Sequence, residues 1–181
     1  MSMERLLLHV PSFEELSYRK KLLSEPETMA YNRGYEPGYE GYHPDTGCID
    51  FPESGWRDWY DWFVGAEPER WYAYIARRED GAFLGEVNLH RAPGAAHYDM
   101  GIVLEARYRG QGYAEEALRL LLAQAFEKLG AEEVRNSFEE TRAAALQTHL
   151  ACGFRETGRG DGMVTLQITR DAYKKKAEKR E

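Results

Sequence analysis

The sequence predicts an α+β domain built on a mixed sheet, and two observations carry that prediction. Strand-like segments at 71–76 and 83–89 and a third starting at Tyr98 follow one another with short turns between them. The third segment then runs through a glycine-rich turn into a helix whose apolar residues recur at helical spacing up to Phe126. Successive antiparallel strands followed by a helix are typical of an α+β fold and not of a doubly wound one.

The N-terminal part is predicted to contribute one strand and two helices. Residues 6–10 form an apolar strand that Pro11 ends, and Ser12 with Glu15 makes a capping box for the first helix. Ser54 is the expected N-cap of the second helix. The aromatic residues of that helix recur at three- and four-residue spacing, which favours core packing over a binding face: Trp56, Trp59, Tyr60 and Phe63.

Between these two helices, residues 30–53 lack any periodicity. A loop of this length inside a compact domain is usually functional or disordered, and its many tyrosines argue against disorder. Together with the ring faces, its acidic residues would form a wall suited to a cationic group: Glu36, Glu40, Asp45, Asp50 and Glu53. The alternative, weighted equally, is a tyrosine-rich flap that packs on its own body.

The second half of the chain is predicted to complete the sheet. Gly130 is a natural C-cap for the central helix, and the crossover through that helix makes the next strand, 134–138, parallel to the strand before it. A helix from Thr141 through residue 150, a last strand at 164–169 and a basic tail, 171–181, follow. Lysine and arginine suit a helix C-terminus, so the tail implies no partner.

Composition points to a single domain, 1–181, in the cytoplasm. The net charge of −7 argues against nucleic acid or an anionic membrane as a partner. No apolar run approaches the ~20 residues of a membrane span, and the apolar stretch near the N-terminus is too short for a signal peptide. Cys48 and Cys152 are too few for a disulfide framework, and the scattered histidines form no metal-binding motif.

The glycine-rich turn before the central helix is the strongest functional signal. The first amides of a helix lack partners, and Gly110 and Gly112 let a ligand approach the backbone closely, so the turn predicts a pyrophosphate site. A Walker loop is excluded because the turn has no lysine, and a Rossmann turn because Glu115 holds the third glycine position. Taken alone, a Gly-x-Gly turn is more often a turn without a ligand.

The wider pattern is more specific. Arg109-x-x-Gly112-x-Ala114 after a strand resembles the coenzyme A loop of the GCN5-related N-acetyltransferases (GNAT). The opening Glu-Arg-Leu-Leu-Leu, the string Tyr-Arg-Gly-x-Gly-Tyr-Ala-x-Glu-Ala-Leu and the closing Cys-Gly-Phe are similar to the branch that acetylates ribosomal-protein N-termini.

This resemblance implies acetyl-CoA as co-substrate and a strongly twisted, mostly antiparallel sheet whose fourth and fifth strands splay apart for the pantetheine arm. It also implies coenzyme contacts from the backbone of the fourth strand, where an amide near Val103 or Leu104 would polarise the thioester carbonyl. The coenzyme-binding residues would be Ile102, Val103, Leu104, Arg109, Gly110, Gln111, Gly112, Tyr113 and Ala114.

Two positions depart from the family pattern. Eleven residues before Gly153 the family usually carries an asparagine that contacts the pantetheine, and Arg142 stands there, where it would reach a coenzyme phosphate instead. Seven residues further on the family commonly has a tyrosine that protonates the departing thiolate, and His149 stands there. With a reference pKa of ~6.5, His149 is the predicted acid.

Acetyl transfer also needs a neutral amine. A free alkylamine has a pKa near ~10.4, roughly three units above neutral pH, so a positioned base is useful. Asp99 stands where family members often carry an acid, and Glu86 on the third strand is the second candidate. Asn88 and His90 share the face of Glu86 by the two-residue alternation of a strand.

Each catalytic candidate has a structural alternative: a solvated strand residue for Asp99, an ion pair with Arg77 or Arg91 for Glu86, and a helix-surface position for His149. The prediction is an acetyl-CoA-dependent N-acetyltransferase that acts directly on a small-molecule amine, or on a peptide N-terminus as the less favoured acceptor. A non-catalytic acyl-CoA sensor or scaffold and a pure interaction module are the alternatives, and a homodimer stays open.

Overall fold

The computed structural model describes residues 4–35, 38 and 40–179. Its strands are Leu6–His9 (β1), Arg70–Arg77 (β2), Phe83–His90 (β3), His97–Leu104 (β4), Glu133–Glu139 (β5), Arg155–Gly160 (β6) and Met163–Thr169 (β7). Its α-helices are Leu16–Leu23 (α1), Pro26–Met29 (α2), Trp56–Phe63 (α3), Tyr113–Ala123 (α4), Ala143–Cys152 (α5) and Arg170–Glu178 (α6). A π-helical turn, Gln124–Lys128, extends α4.

The strands form one seven-stranded sheet in the order β1-β2-β3-β4-β5-β7-β6. Neighbours are antiparallel except β4 and β5, which the crossover through α4 makes parallel. Residues 97–99 of β4 pair with residues 133–135 of β5, and beyond them the two strands part. Strand β5 meanwhile stays paired with β7 along its whole length. The predicted fold class, with its splayed fourth and fifth strands, is confirmed.

The main core lies between this sheet and α4. Helix α4 contributes Leu118 and Leu121, which are fully buried, to one cluster with Val87 of β3 and Met100 of β4. Because side chains alternate across a strand, the residues between them point to the opposite face of the sheet. That opposite face carries Glu86 and is the one on which the candidate site is built.

Glu116 of α4 fastens the N-terminal strand to this core. Its Oε1 accepts hydrogen bonds from the amides of Arg5 at 2.6 Å and Leu6 at 2.9 Å, and its Oε2 accepts one from the Arg5 Nε at 3.0 Å. The carboxylate is therefore a structural clamp. It links the Glu-Arg-Leu-Leu-Leu opening to the string that follows the glycine-rich turn.

The sequence predicted two of the local features correctly, one N-cap wrongly and missed one strand. The capping box is present, since the Ser12 amide donates to Glu15 at 2.8 Å, and Gly130 follows the end of the extended α4 at a φ of +69°. The prediction for Ser54 was wrong, because Gly55 is the N-cap of α3. Strand β6 was missed: all its residues are exposed, so it lacks the apolar alternation by which strands are recognised.

Two further observations bear on the chain as a whole. Cys48 and Cys152 are both buried, and no disulfide joins them. Over the ranges that the structure describes, none of the helices is long and apolar enough to cross a membrane.

Candidate active site

The turn between β4 and α4 ends in backbone amides that lack partners. Gly112, the N-cap of α4, has a φ of +80°, which glycine adopts without strain. Among the described residues, the N–H groups of residues 110–114 donate to no atom. The Arg109 amide is different, because it donates to the Ala106 carbonyl at 3.2 Å. The pyrophosphate site that the sequence predicted at this turn can therefore use the amides of residues 110–114, here called the cup, but not the amide of Arg109.

The Arg109 side chain holds this turn in place. Its Nε donates to the Leu104 carbonyl at 3.1 Å and its Nη2 to the Thr28 carbonyl at 2.7 Å. The fully buried Thr28 hydroxyl in turn accepts from the Ala106 amide at 3.0 Å, so α2 and the turn are tied together. Burial lowers the pKa of Arg109 and the nearby charge of Arg142 lowers it further.

Backbone groups of β4 face the gap where β4 and β5 part. The Glu105 amide donates to the Leu84 carbonyl at 2.8 Å, on the β3 side. Because backbone groups alternate along a strand, the amides of Ile102 and Leu104 point to the gap and that of Val103 points to β3. Leu104, and not Val103, thus has the orientation required to polarise a carbonyl in the gap.

Glu86 lies in a buried ion pair with Arg19 of α1. The Arg19 Nη1 is 2.5 Å from each Glu86 oxygen, and the Tyr72 hydroxyl donates to the same carboxylate. The side chains of Arg19 and Glu86 are only 16% and 6% exposed. The ion-pair partners predicted for Glu86 were wrong, because Arg77 and Arg91 make other contacts.

The Arg19 guanidinium is enclosed by aromatic rings. Its Cζ lies 4.4 Å from the ring centre of Trp59, 5.2 Å from that of Phe51 and 5.5 Å from that of Tyr72. Burial opposes a charge here, but Glu86 raises the pKa of Arg19 above its ordinary value, and burial with Glu86 raises the pKa of Tyr72 well above its own. A box of rings and a carboxylate, suited to a cation, is thus filled by the chain's own guanidinium.

The acidic residues of the 30–53 insertion that the structure describes form no wall around this box. Asp50 pairs with His43 at 2.9 Å and Glu53 with Lys20 at 3.4 Å, in exposed positions. Glu40 and Asp45 are exposed as well, and Glu36 lies outside the described residues. The rings of Tyr31 and Phe51 pack on the buried cluster of Leu23, Met29 and Cys48. This arrangement fits a flap packed on its own body better than a cation-binding wall.

Asp99 is exposed at the point where β4 and β5 begin to part. It lies opposite His90 of β3 and is the last β4 residue paired with β5, opposite Arg135. The Asn88 amide covers Gly101, where any larger side chain would overlap it. Of the two predicted bases, Asp99 is therefore the one that water and a substrate can reach.

His149 is only 2% exposed, so its predicted alternative position on the helix surface was wrong. Its Nδ1 lies 2.7 Å from the Ala145 carbonyl, which only an N–H can satisfy, and its Nε2 accepts from the Asn136 amide at 3.0 Å. Burial lowers the pKa of His149, and the charge of Arg142 adds to that shift. The ring is therefore neutral with both nitrogens engaged, which does not favour the predicted role as an acid.

Arg142 immediately precedes α5, at the end of β5 that has parted from β4. Its Cζ lies 4.7 Å from the Tyr31 ring centre and 5.4 Å from that of Phe138, and its Nη1 lies 3.8 Å from Glu139. Arg142 and Arg109 thus stand on the two sides of the gap. The predicted contact of Arg142 with a coenzyme phosphate stays a prediction. Within the part of the chain described here, no cluster of His, Cys, Asp and Glu could hold a metal ion.

Sequence reasoning missed the residue that joins these groups, Tyr31. It was noticed only as one ring among many in the insertion, because nothing in the local sequence connects it with Arg142, which follows it by more than a hundred positions. The contact exists because the insertion folds back over the end of β4, beside the start of α5.

Comparison with known proteins agrees with this architecture. Residues 5–155 match a family model described as an acetyltransferase (GNAT) domain. Comparison with curated proteins gives no match.

Several solved structures share the fold at low sequence identity. An acetyltransferase of the GNAT family from Bacillus anthracis is 17% identical, with a TM-score of 0.70 over 93% of this chain and 96% of that one. Spermidine N-acetyltransferase from Vibrio cholerae, in complex with CoA and spermine, is 16% identical, with a TM-score of 0.73 over 93% and 98%. The apo form of FdhC, described as a nucleotide-linked sugar GNAT, is 15% identical, with a TM-score of 0.71 over 98% and 93%.

Proposed function

The chain belongs to the GNAT acetyltransferase family, and from that premise we propose that it transfers an acetyl group from acetyl-CoA directly to a primary amine. The observation that carries the proposal is the cup at 110–114, whose amides donate to no described residue and which opens beside the gap between β4 and β5. Amides at a helix N-terminus favour a diphosphate, and the unpaired edge of β4 offers hydrogen-bonding groups to the amides of a pantetheine arm.

The residues around the gap would divide the chemistry as follows. Acetyl-CoA supplies the activated acyl group. The Leu104 amide would hold the thioester oxygen as negative charge develops on it. Asp99 would take a proton from the attacking amine, directly or through water, since it is the exposed carboxylate beside the gap. Glu86, held in its buried ion pair with Arg19, would shape the acceptor side of the site.

The acceptor is proposed at the level of a primary amine on a small molecule or a peptide N-terminus. Proteins described as acting on spermidine and on a nucleotide-linked sugar have folds similar to this chain, so the fold does not select an acceptor. The described acidic residues of the insertion form no wall and Arg19 fills the box of rings, so neither feature gives a reason to prefer a cationic small molecule.

Coenzyme binding is tested most sharply by a methyl group placed in the cup. Gly110 and Gly81 have φ values of +73° and +72°, and a Cβ at either would meet nothing within 4 Å. Gly110→Ala and Gly81→Ala should therefore carry the same backbone strain, but only the first places a methyl group at the cup. Calorimetric titration with CoA should show affinity reduced at least tenfold in Gly110→Ala and unchanged in Gly81→Ala. Equal affinities would contradict the proposed coenzyme site.

Transfer itself is tested by following thiol release from acetyl-CoA with a panel of primary amines. At least one amine should accelerate release by wild-type protein, and Asp99→Asn should slow it. A second candidate, a non-catalytic acyl-CoA sensor, is favoured by the engagement of Glu86 and His149 in buried hydrogen bonds. Binding of acetyl-CoA without amine-dependent thiol release would support the sensor and contradict the enzyme.

A further inference from the structure

We propose that Tyr31, contributed by the insertion after α2, is the group that protonates the sulfur atom leaving the acetyl group. The inference rests on the proposed function, because it assigns a role within the same gap. Expulsion of a thiolate needs a proton donor. His149 does not fit that role, because its ring is neutral with both nitrogens engaged.

The surroundings of Tyr31 place it at the mouth of the gap. Its ring lies under the Arg142 guanidinium, 4.7 Å from Cζ, on the β5 side. It packs on the same buried cluster as Val103 of β4. Its hydroxyl also feels the charge of Arg109, which is bonded to the Leu104 carbonyl at the end of β4. Tyr31 is therefore linked to the β5 side through Arg142 and to the β4 side through the cluster that it shares with Val103.

The hydroxyl of Tyr31 donates to no acceptor among the described residues. Other buried or half-buried tyrosines donate to carbonyl groups, as Tyr60 does to Pro11 at 2.8 Å and Tyr98 to Pro68 at 2.6 Å. The O–H of this half-buried phenol can therefore donate to a ligand that binds in the gap.

The electrostatics keep Tyr31 protonated and place positive charge where its phenolate would form. Burial raises the pKa of Tyr31 to about 12, helped by the charge of Glu86, so the phenol keeps its proton at neutral pH. The charges of Arg142, Arg109 and Arg19 oppose that rise and would stabilise the phenolate left by proton transfer. The same burial also destabilises a thiolate in the gap, which reduces the difference in pKa between the Tyr31 phenol and the CoA thiol.

The step balances as follows. The amine nitrogen forms a bond to the acetyl carbon and loses a proton to Asp99 or water. The carbon–sulfur bond breaks with its electron pair going to sulfur, and Tyr31 transfers its O–H proton to that sulfur. The phenolate recovers a proton from solvent, which balances the proton taken from the amine, so the products are the N-acetyl compound and free CoA thiol.

The test compares Tyr31→Phe with Tyr35→Phe, an exposed tyrosine of the same insertion. Tyr31→Phe keeps the ring that packs against Arg142 and removes only the proton donor. It should lower kcat with acetyl-CoA by about 10²-fold or more, with the Kd for CoA within twofold of wild type, while Tyr35→Phe and His149→Gln keep kcat. With acetyl-seleno-CoA, whose selenolate leaves without protonation, Tyr31→Phe should regain most of the lost rate.

Two results would overturn the assignment: kcat of Tyr31→Phe within threefold of wild type, or a rate loss that is equal for the sulfur and selenium substrates. Failure of the proposed function itself has a different signature, because wild-type protein would then bind no CoA or release no thiol.

Discussion

Replacing Glu86 with glutamine separates a structural role from a catalytic one. The carboxylate receives Arg19 Nη1 at 2.5 Å on each oxygen and the Tyr72 hydroxyl, at 6% side-chain exposure. Removing one partner of a buried ion pair costs about 3–5 kcal/mol. Glutamine retains one acceptor oxygen and the rings still stabilise the guanidinium by ~1–2 kcal/mol, so we expect the low end, about 3 kcal/mol. For a chain of this size that is a Tm lower by about 6–12 °C.

Urea unfolding measures the loss of stability, and thiol release from acetyl-CoA measures turnover. Glu53→Gln is the matched control, since its pair with Lys20 has side chains that are 71% and 51% exposed, and it should change neither quantity appreciably. The double variant Arg19→Met with Glu86→Gln should recover stability relative to Glu86→Gln, because no unpaired charge remains. If Glu86→Gln kept wild-type stability while kcat fell a hundredfold, our view of Glu86 as a neutralised, structural carboxylate would be wrong.

Three further changes probe other parts of the fold. Glu116→Ala leaves the amides of Arg5 and Leu6 without acceptors and should cost about 3 kcal/mol in urea unfolding; a loss below 1 kcal/mol would contradict the clamp. His149→Gln should remove a pH dependence of the folding stability. The pKa of His149 is lowered in the folded protein, so the unfolded chain binds more protons below pH ~6.5. Wild type should therefore lose stability relative to the variant as pH falls from there, by at most about 1.4 kcal/mol per pH unit. Parallel stability curves would refute this. Thr28→Val removes the acceptor of the Ala106 amide and should cost about 1–3 kcal/mol while weakening CoA binding; unchanged CoA affinity would mean that α2 does not support the cup.

The sheet and its central helix could be predicted because their signals are local. Short apolar runs mark β2 to β4, helical spacing marks α4, and Gly110 with Gly112 marks the turn between them. Strand β6 carries no such signal, since every residue in it is exposed. Its existence depends on pairing with β7, which the sequence of β6 alone does not reveal.

The candidate site was harder to predict because its decisive contacts are between distant residues. Glu86 was a reasonable base from its place on the third strand, but its partner, Arg19, is 67 positions away on α1. His149 stands at a position that the family resemblance identified, yet burial against Phe138 and Phe154 makes it part of the core. Tertiary packing thus decided the state of both groups.

The central claim is that the amides of residues 110–114 bind the diphosphate of coenzyme A. Titration of ¹⁵N-labelled protein with CoA, followed through the backbone amide resonances, tests it most directly. Those five resonances should shift together with one saturating curve, while Gly81 and the other turn glycines far from the gap stay unchanged. If CoA left the 110–114 resonances unmoved, or moved only amides elsewhere on the protein, the proposed site would be refuted.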